Sequence, residues 1–84
     1  MNYPVVVEVS LRDGIADPEG ATIERALPAL GFAGVAGVRA GRCFRFSVDA
    51  DDEAGALATA GAMADRLLAN PVIERAAVRL DDAP

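Results

Sequence analysis

Leu67-Leu68-Ala69-Asn70-Pro71-Val72-Ile73-Glu74 is the stretch in which a helix must stop and the last strand must begin. Leu67 and Leu68 close an Ala-rich run that starts at Glu53. Asn70 tolerates a left-handed helix cap better than most residues with a side chain, and Pro71 cannot continue a helix. Val72 and Ile73 then open a β-branched segment reaching Leu80. A helix that hands over to a strand with almost no loop predicts that this strand lies directly beneath it.

Working outward, Glu53 to Ala69 reads as a helix with Ala54, Leu57, Gly61, Ala64 and Leu68 on one stripe. Small residues in that stripe predict close approach to a sheet. The acidic turn Asp49 to Asp52 precedes it and suits its positive end. Arg42 to Asp49 alternates, with Phe44, Phe46 and Val48 on one side, and Val35 to Ala40 reads as a shorter strand joined to it through Gly41. An earlier helix starts at the cap Asp17, followed by Pro18 at its first position, and presents Ile23, Ala26, Leu27 and Leu30 on one face. Pro28 loosens its last turn and Gly31 ends it. Tyr3 to Leu11 has period two over nine residues and opens the chain as a strand.

The order is βαββαβ over a single domain, residues 1–84. It predicts an α+β two-layer sandwich of the ferredoxin-like kind, a four-stranded antiparallel sheet with two helices on one face. Val6, Glu8, Ser10, Arg39, Cys43, Arg45, Ile73, Arg75 and Ala77 would form the open face. That face is expected to take a partner or a second copy of the chain. Asp81 to Pro84 is expected to fray.

Composition excludes several function classes. The net charge of −5 disfavours nucleic acid and an anionic membrane surface. No apolar run approaches the ~20 residues that cross a bilayer. The N-terminus carries no secretory pattern, so a cytoplasmic protein is expected. There is no His, and all eight cations are Arg, so the usual general base, the commonest metal ligand and Schiff-base chemistry are missing. Cys43 is the lone cysteine and has no disulfide partner within the chain.

Other candidate groups have two readings each. Arg39, Arg42 and Arg45, with Arg75 and Arg79 one strand away, form either a pocket for an acidic partner or a set of surface ion pairs with Glu8 and Glu74. Asp49, Asp51, Asp52 and Glu53 lack the spacing of a calcium loop and suit helix capping. Phe44 and Phe46 share a face with Val48, which points them into the core and away from RNA. Gly31, Gly34, Gly37 and Gly41 precede no helix able to receive a phosphate and read as turn glycines.

Several segments in order carry a family resemblance: Asp17-Pro18-Glu19-Gly20, Ala26-Leu27, Leu30-Gly31-Phe32, Val38-Arg39-Ala40-Gly41-Arg42 and the Leu67–Glu74 stretch. The whole chain resembles PurS, the small subunit of the multi-subunit phosphoribosylformylglycinamidine synthase of purine biosynthesis. The resemblance implies a non-catalytic subunit, itself a dimer or tetramer. It would bridge a large PurL-like synthetase subunit and a PurQ-like glutaminase subunit and support ammonia transfer between them. It implies no cofactor on this chain, with ATP and Mg in the synthetase subunit. Mapped residue by residue, it places subunit-interface contacts at Asp17, Pro18, Gly20, Arg39, Gly41, Arg42, Asn70, Pro71 and Glu74. For Asp17, Pro18, Asn70 and Pro71 a purely capping role is an equal reading. A small-molecule-binding regulatory domain of the ACT type shares the βαββαβ order and stands as the alternative.

Overall fold

The computed structural model describes residues 1–82, with β1 (Asn2–Leu11), α1 (Pro18–Ala26), β2 (Gly41–Asp49), α2 (Glu53–Met63) and β3 (Glu74–Leu80) in sequence order. A 3-10 turn at Pro28–Leu30 follows α1, and a π-helical turn at Ala64–Leu68 follows α2. β1 lies in the middle of the sheet, antiparallel to β2 on one side and to β3 on the other. Alternation decides what each face carries. Val5 stands between Phe46 and Leu80, Val7 between Phe44 and Val78, and Val9 between Arg42 and Ala76. These residues face α2, whose Ala56, Ala60 and Ala64 recur every four residues and are fully buried against the valines. With only methyl groups between them, helix and sheet backbones come close, as the small-residue stripe predicted. The buried stripe is nevertheless Ala56-Ala60-Ala64, whereas Ala54 is exposed.

Among the described residues the sheet has three strands, not the four expected. Val35 to Ala40 does not pair, for two physical reasons. Gly34 and Gly37 hold φ of +82° and +73°, which interrupts an extended run. The amides that a neighbouring strand would have used are already taken by carboxylates: Val38 N–H donates to Glu24 Oε1 and Ala40 N–H to Asp17 Oδ2, both at 2.8 Å. Both glutamate and aspartate come from the α1 region, so the segment is tied to that helix instead of to β2.

The second correction concerns the helices. Only α2 lies on the sheet; α1 packs on its own 3-10 turn. The helix, the turn and residues 31–40 form an arm reaching away from the sheet. A Cα radius of gyration of 16.0 Å reflects this, against about 12 Å for a compact chain of this length.

The junction that opened the sequence reading also differs in detail. Among the described residues only glycines have positive φ, so Asn70 is not left-handed. The helix ends in a π turn instead, closed by Ala69 N–H donating to the Ala64 carbonyl at 2.9 Å. Asn70 then builds a turn: its carbonyl accepts from Ile73 and Glu74 and its side chain accepts from Val72 N–H. β3 therefore starts at Glu74, two residues later than Val72, and Leu67 and Val72 are left about four-fifths exposed at 81% and 79%. The strand does run beneath α2.

The outer sheet face was expected to take a partner or a second copy; within the chain, its central residue Val6 is already covered. Val6, between Arg45 and Arg79 in register, is fully buried. Arg45 reaches across β1 to Asp81 at 2.8 Å, and Arg79 reaches Glu8 at 2.9 Å. Arginine stems and ion pairs thus close over Val6, the buried side chain of that face. Asp81 is consequently anchored rather than frayed, its amide also donating to the Pro4 carbonyl at 2.9 Å. Ala83 and Pro84, the rest of the expected tail, lie outside the described residues.

Candidate functional site

All nine residues singled out from the sequence stand at or beside the end of the sheet where β1 finishes and β2 and β3 begin. They form the root of the arm.

Asp17 is its centre. Its side chain is only 6% exposed, and its two oxygens accept from different segments. Oδ1 takes the Gly20 amide at 2.9 Å, the ordinary cap of a helix start, while Oδ2 takes the Ala40 amide. These two backbone hydrogen bonds, from Gly20 first and Ala40 second, hold the Asp17 carboxyl below its ordinary range, helped by Arg39 at 3.9 Å. Pro18 follows at the first helical position, where its missing N–H costs nothing. Gly20 is buried, and a Cβ there would run into the Val38 carbonyl oxygen. Arg39 fans its guanidinium over the carbonyls of Leu11, Arg12 and Ile15 at 3.4 Å each. It thereby holds the loop between β1 and α1 to the strand that leads back. Gly41 opens β2 opposite Ser10, where an added Cβ would come within 2.6 Å of the Val9 carbonyl oxygen.

Arg42 and Glu74 complete the other half. Arg42 faces the helix side of β2, spans β1 and donates to both oxygens of Glu74 at 3.0 Å. Arg42 also lies over the Phe44 ring at 5.6 Å. The bridge lies beside Val9, its register neighbour in β1, which is only 2% exposed. Glu74 also accepts the Asn70 amide at 2.8 Å, and that bond leads Arg42 in pulling its carboxyl below the ordinary range. Pro71 offers its carbonyl to Arg12 Nε at 2.9 Å, tying the α2–β3 turn to the end of β1.

The arrangement is a clamp built from charged side chains on backbone groups. It can fix an angle between arm and sheet; it presents no nucleophile beside a base. Shallow clefts of about 280 and 310 Å³ flank Gly41 and Arg42 on the two sides of the sheet end. The Arg42 guanidinium that would receive an anion there is already occupied by Glu74. Among the described residues, no three His, Cys, Asp or Glu side chains stand together in a way that could hold a metal ion. Cys43 is exposed on the outer face. No helix among the described residues is long and apolar enough to cross a membrane.

Two members of the clamp escaped the sequence reading. Glu24 lies off the apolar face that periodicity marks on its helix, and its partner, the Val38 amide, lies 14 residues on in a segment expected to pair with a strand. Arg12 stands just past the end of β1, outside any periodic segment. No local pattern marks either, because each acts on backbone brought in from elsewhere.

Residues 4–82 match the family model described as PurS, phosphoribosylformylglycinamidine (FGAM) synthase. Among curated proteins, the chain is 40% identical over 73 residues to the phosphoribosylformylglycinamidine synthase subunit PurS of Synechocystis sp., covering 87% of this chain and 73% of that one. It is 44% identical over 69 residues to the subunit of the same name from Mycobacterium leprae, covering 82% and 84%. Among solved structures, a PurS subunit from Thermotoga maritima superposes with a TM-score of 0.89 at 30% identity, covering 96% of this chain and 93% of that one. A chain in the structure of PurLQS from the same organism gives 0.88 at 30% identity, covering 96% and 99%.

Proposed function

The chain belongs to the PurS family of phosphoribosylformylglycinamidine synthase subunits, and from that premise we propose that it is a non-catalytic subunit joining a PurL-like synthetase to a PurQ-like glutaminase. The reaction it serves is the ATP- and glutamine-dependent conversion of formylglycinamide ribonucleotide to formylglycinamidine ribonucleotide in purine biosynthesis, in the cytoplasm. ATP and Mg belong to the synthetase partner. This chain contributes shape: it closes the space between the two active sites so that ammonia passes without protonation or loss to water. The observation that carries the reading is the match along 96% of the chain to a chain of the Thermotoga PurLQS structure.

The clamp gives that role a physical basis. A bridge transmits position only if its parts hold a fixed angle. Asp17, Gly20, Arg39, Gly41, Arg42 and Glu74 hold the arm to the sheet through side chains on backbone. In this reading the mapped residues set the geometry of the contact surfaces, and the arm presents them.

The test measures turnover by the two large subunits with and without this chain, once with glutamine and once with ammonia as nitrogen donor. Glutamine-dependent turnover is expected to need the chain, while ammonia-dependent turnover survives its removal. If neither rate responds, the bridging role is wrong. In that case an amino-acid-dependent rise in Tm of the isolated chain would support the ACT-like reading.

A further inference from the structure

Leu67 follows Ala60 at i+7 and Ala64 at i+3, which in a regular α-helix would place it on the buried face of α2. It is instead 81% exposed. The π turn, closed from Ala69 back to Ala64, is wider than an α turn and carries Leu67 off that face, while Leu68 still packs on the core. Leu67 comes to line a shallow groove of about 390 Å³ with Thr59, Ala62, Met63 and Arg66. Val72, in the turn that follows, is as open to solvent as Leu67. Turns of this type recur at functional sites, and here one holds a leucine in water.

Charge marks the rim. The chain has 13 acidic residues for eight arginines, and Arg39, Arg42, Arg45, Arg75 and Arg79 each meet a carboxylate. Among the described residues, Arg12, Arg25 and Arg66 form no ion pair. Two of these three bracket the exposed junction. Arg66 lines the groove, and Arg12 is held at the turn before Val72 by the Pro71 carbonyl, which takes its Nε–H and leaves the rest of the guanidinium open.

We propose that this groove docks a partner protein of different sequence, which lays an apolar ridge on Leu67 and Val72 and brings carboxylates to Arg66 and Arg12. The proposal rests on the bridging role and gives it a surface, the occupant being one of the two large subunits. Guanidiniums left unpaired in a chain with excess acid call for an acidic rim on the partner. A second copy fits poorly, since a two-fold contact of the junction with itself would set Arg66 and Arg12 against their own counterparts.

Titration of the full chain with each large subunit alone, and with both together, tests it. Leu67→Asp and Val72→Asp, both at exposed positions, keep the circular dichroism of the parent and weaken binding to one of the subunits by about thirtyfold or more. Arg66→Gln weakens the same binding by roughly threefold to tenfold and flattens its fall with added salt. Without the subunits, every variant sediments at the mass of the parent. Parent binding that all three substitutions leave unchanged overturns the proposal and leaves the bridging role standing. A variant that loses mass in isolation also overturns it, because the groove then joins copies of the chain. A parent that binds the subunits neither singly nor together ends the bridging role and the proposal with it.

Discussion

The sheet body and the arm are built from the same kinds of apolar residue and treat them in opposite ways. In the body, valines and alanines are enclosed, and charged side chains bridge strands on both faces: Arg42 to Glu74 over the helix side, Arg45 to Asp81 over the outer side. In the arm, larger apolar side chains stand in solvent and the charges turn inward to hold backbone. A high apolar fraction, 52% here, therefore does not measure the core of one chain. Part of it stands exposed on the arm, and the difference lies in which surfaces the charged residues close.

The largest effect that could break this contrast comes from a charge placed in each region. Val7 is fully buried among apolar neighbours, so Val7→Asp should cost about 3–5 kcal/mol. Loss of the cooperative thermal transition is the expected result. Phe32→Asp should leave the body folded by circular dichroism. Equal unfolding by the two would mean that the arm belongs to the same cooperative core.

A smaller effect tests the clamp. Ala is favoured over Gly inside a helix by about 1 kcal/mol, yet Gly20→Ala should destabilise by about 1–3 kcal/mol because its Cβ would meet the Val38 carbonyl. Hydrogen exchange should place the loss in the amides of Val38 and Ala40, with β1 unaffected. A gain in stability would show that the arm shifts freely at its root.

How far the sequence revealed this architecture follows the range of the interactions. Asp17 and Asp52 as caps, Pro18 at a helix start, Gly31 as a left-handed stop and the alternation of Tyr3 to Leu11 depend on neighbours within a few residues, and all are observed. The expected fourth strand does not form, and the cause is clear. Val35 to Ala40 has strand-like residues, but Asp17 and Glu24 claim its amides from more than a dozen positions away. Periodicity cannot report such competition. The burial of Val6 was missed for the same reason, since it depends on where Arg45 and Arg79 find their acids. The nine mapped residues did converge, although periodicity alone did not say that they would hold one another.

Acid should separate the two regions next. Asp17 and Glu74 have carboxyls held below their ordinary values of 3.8 and 4.5 in the folded chain. The unfolded chain therefore takes up protons more readily, and the stability these groups contribute is present above those values and lost as pH falls through and below them. Tm is expected to be level near neutrality and to fall below about pH 4.5. The drop should shrink in Asp17→Asn, which keeps one of the two acceptor oxygens and has no titrating group. A profile unchanged by that substitution would remove Asp17 from the clamp.

The smallest expected effect lies on the outer face. Arg79 and Glu8 are each 55% exposed, and a pair so open to water contributes about 0–1 kcal/mol. Arg79→Ala should therefore barely move Tm. Its real use is to uncover Val6. If the mass by sedimentation stays as in the parent, the remaining Arg45–Asp81 bridge is cover enough and the body is closed by design of its charges. If instead the variant gains a higher-order association, a single arginine stem separates the sealed face from an adhesive one. The contrast between body and arm would then be a matter of side-chain cover alone, with the same apolar surface beneath both.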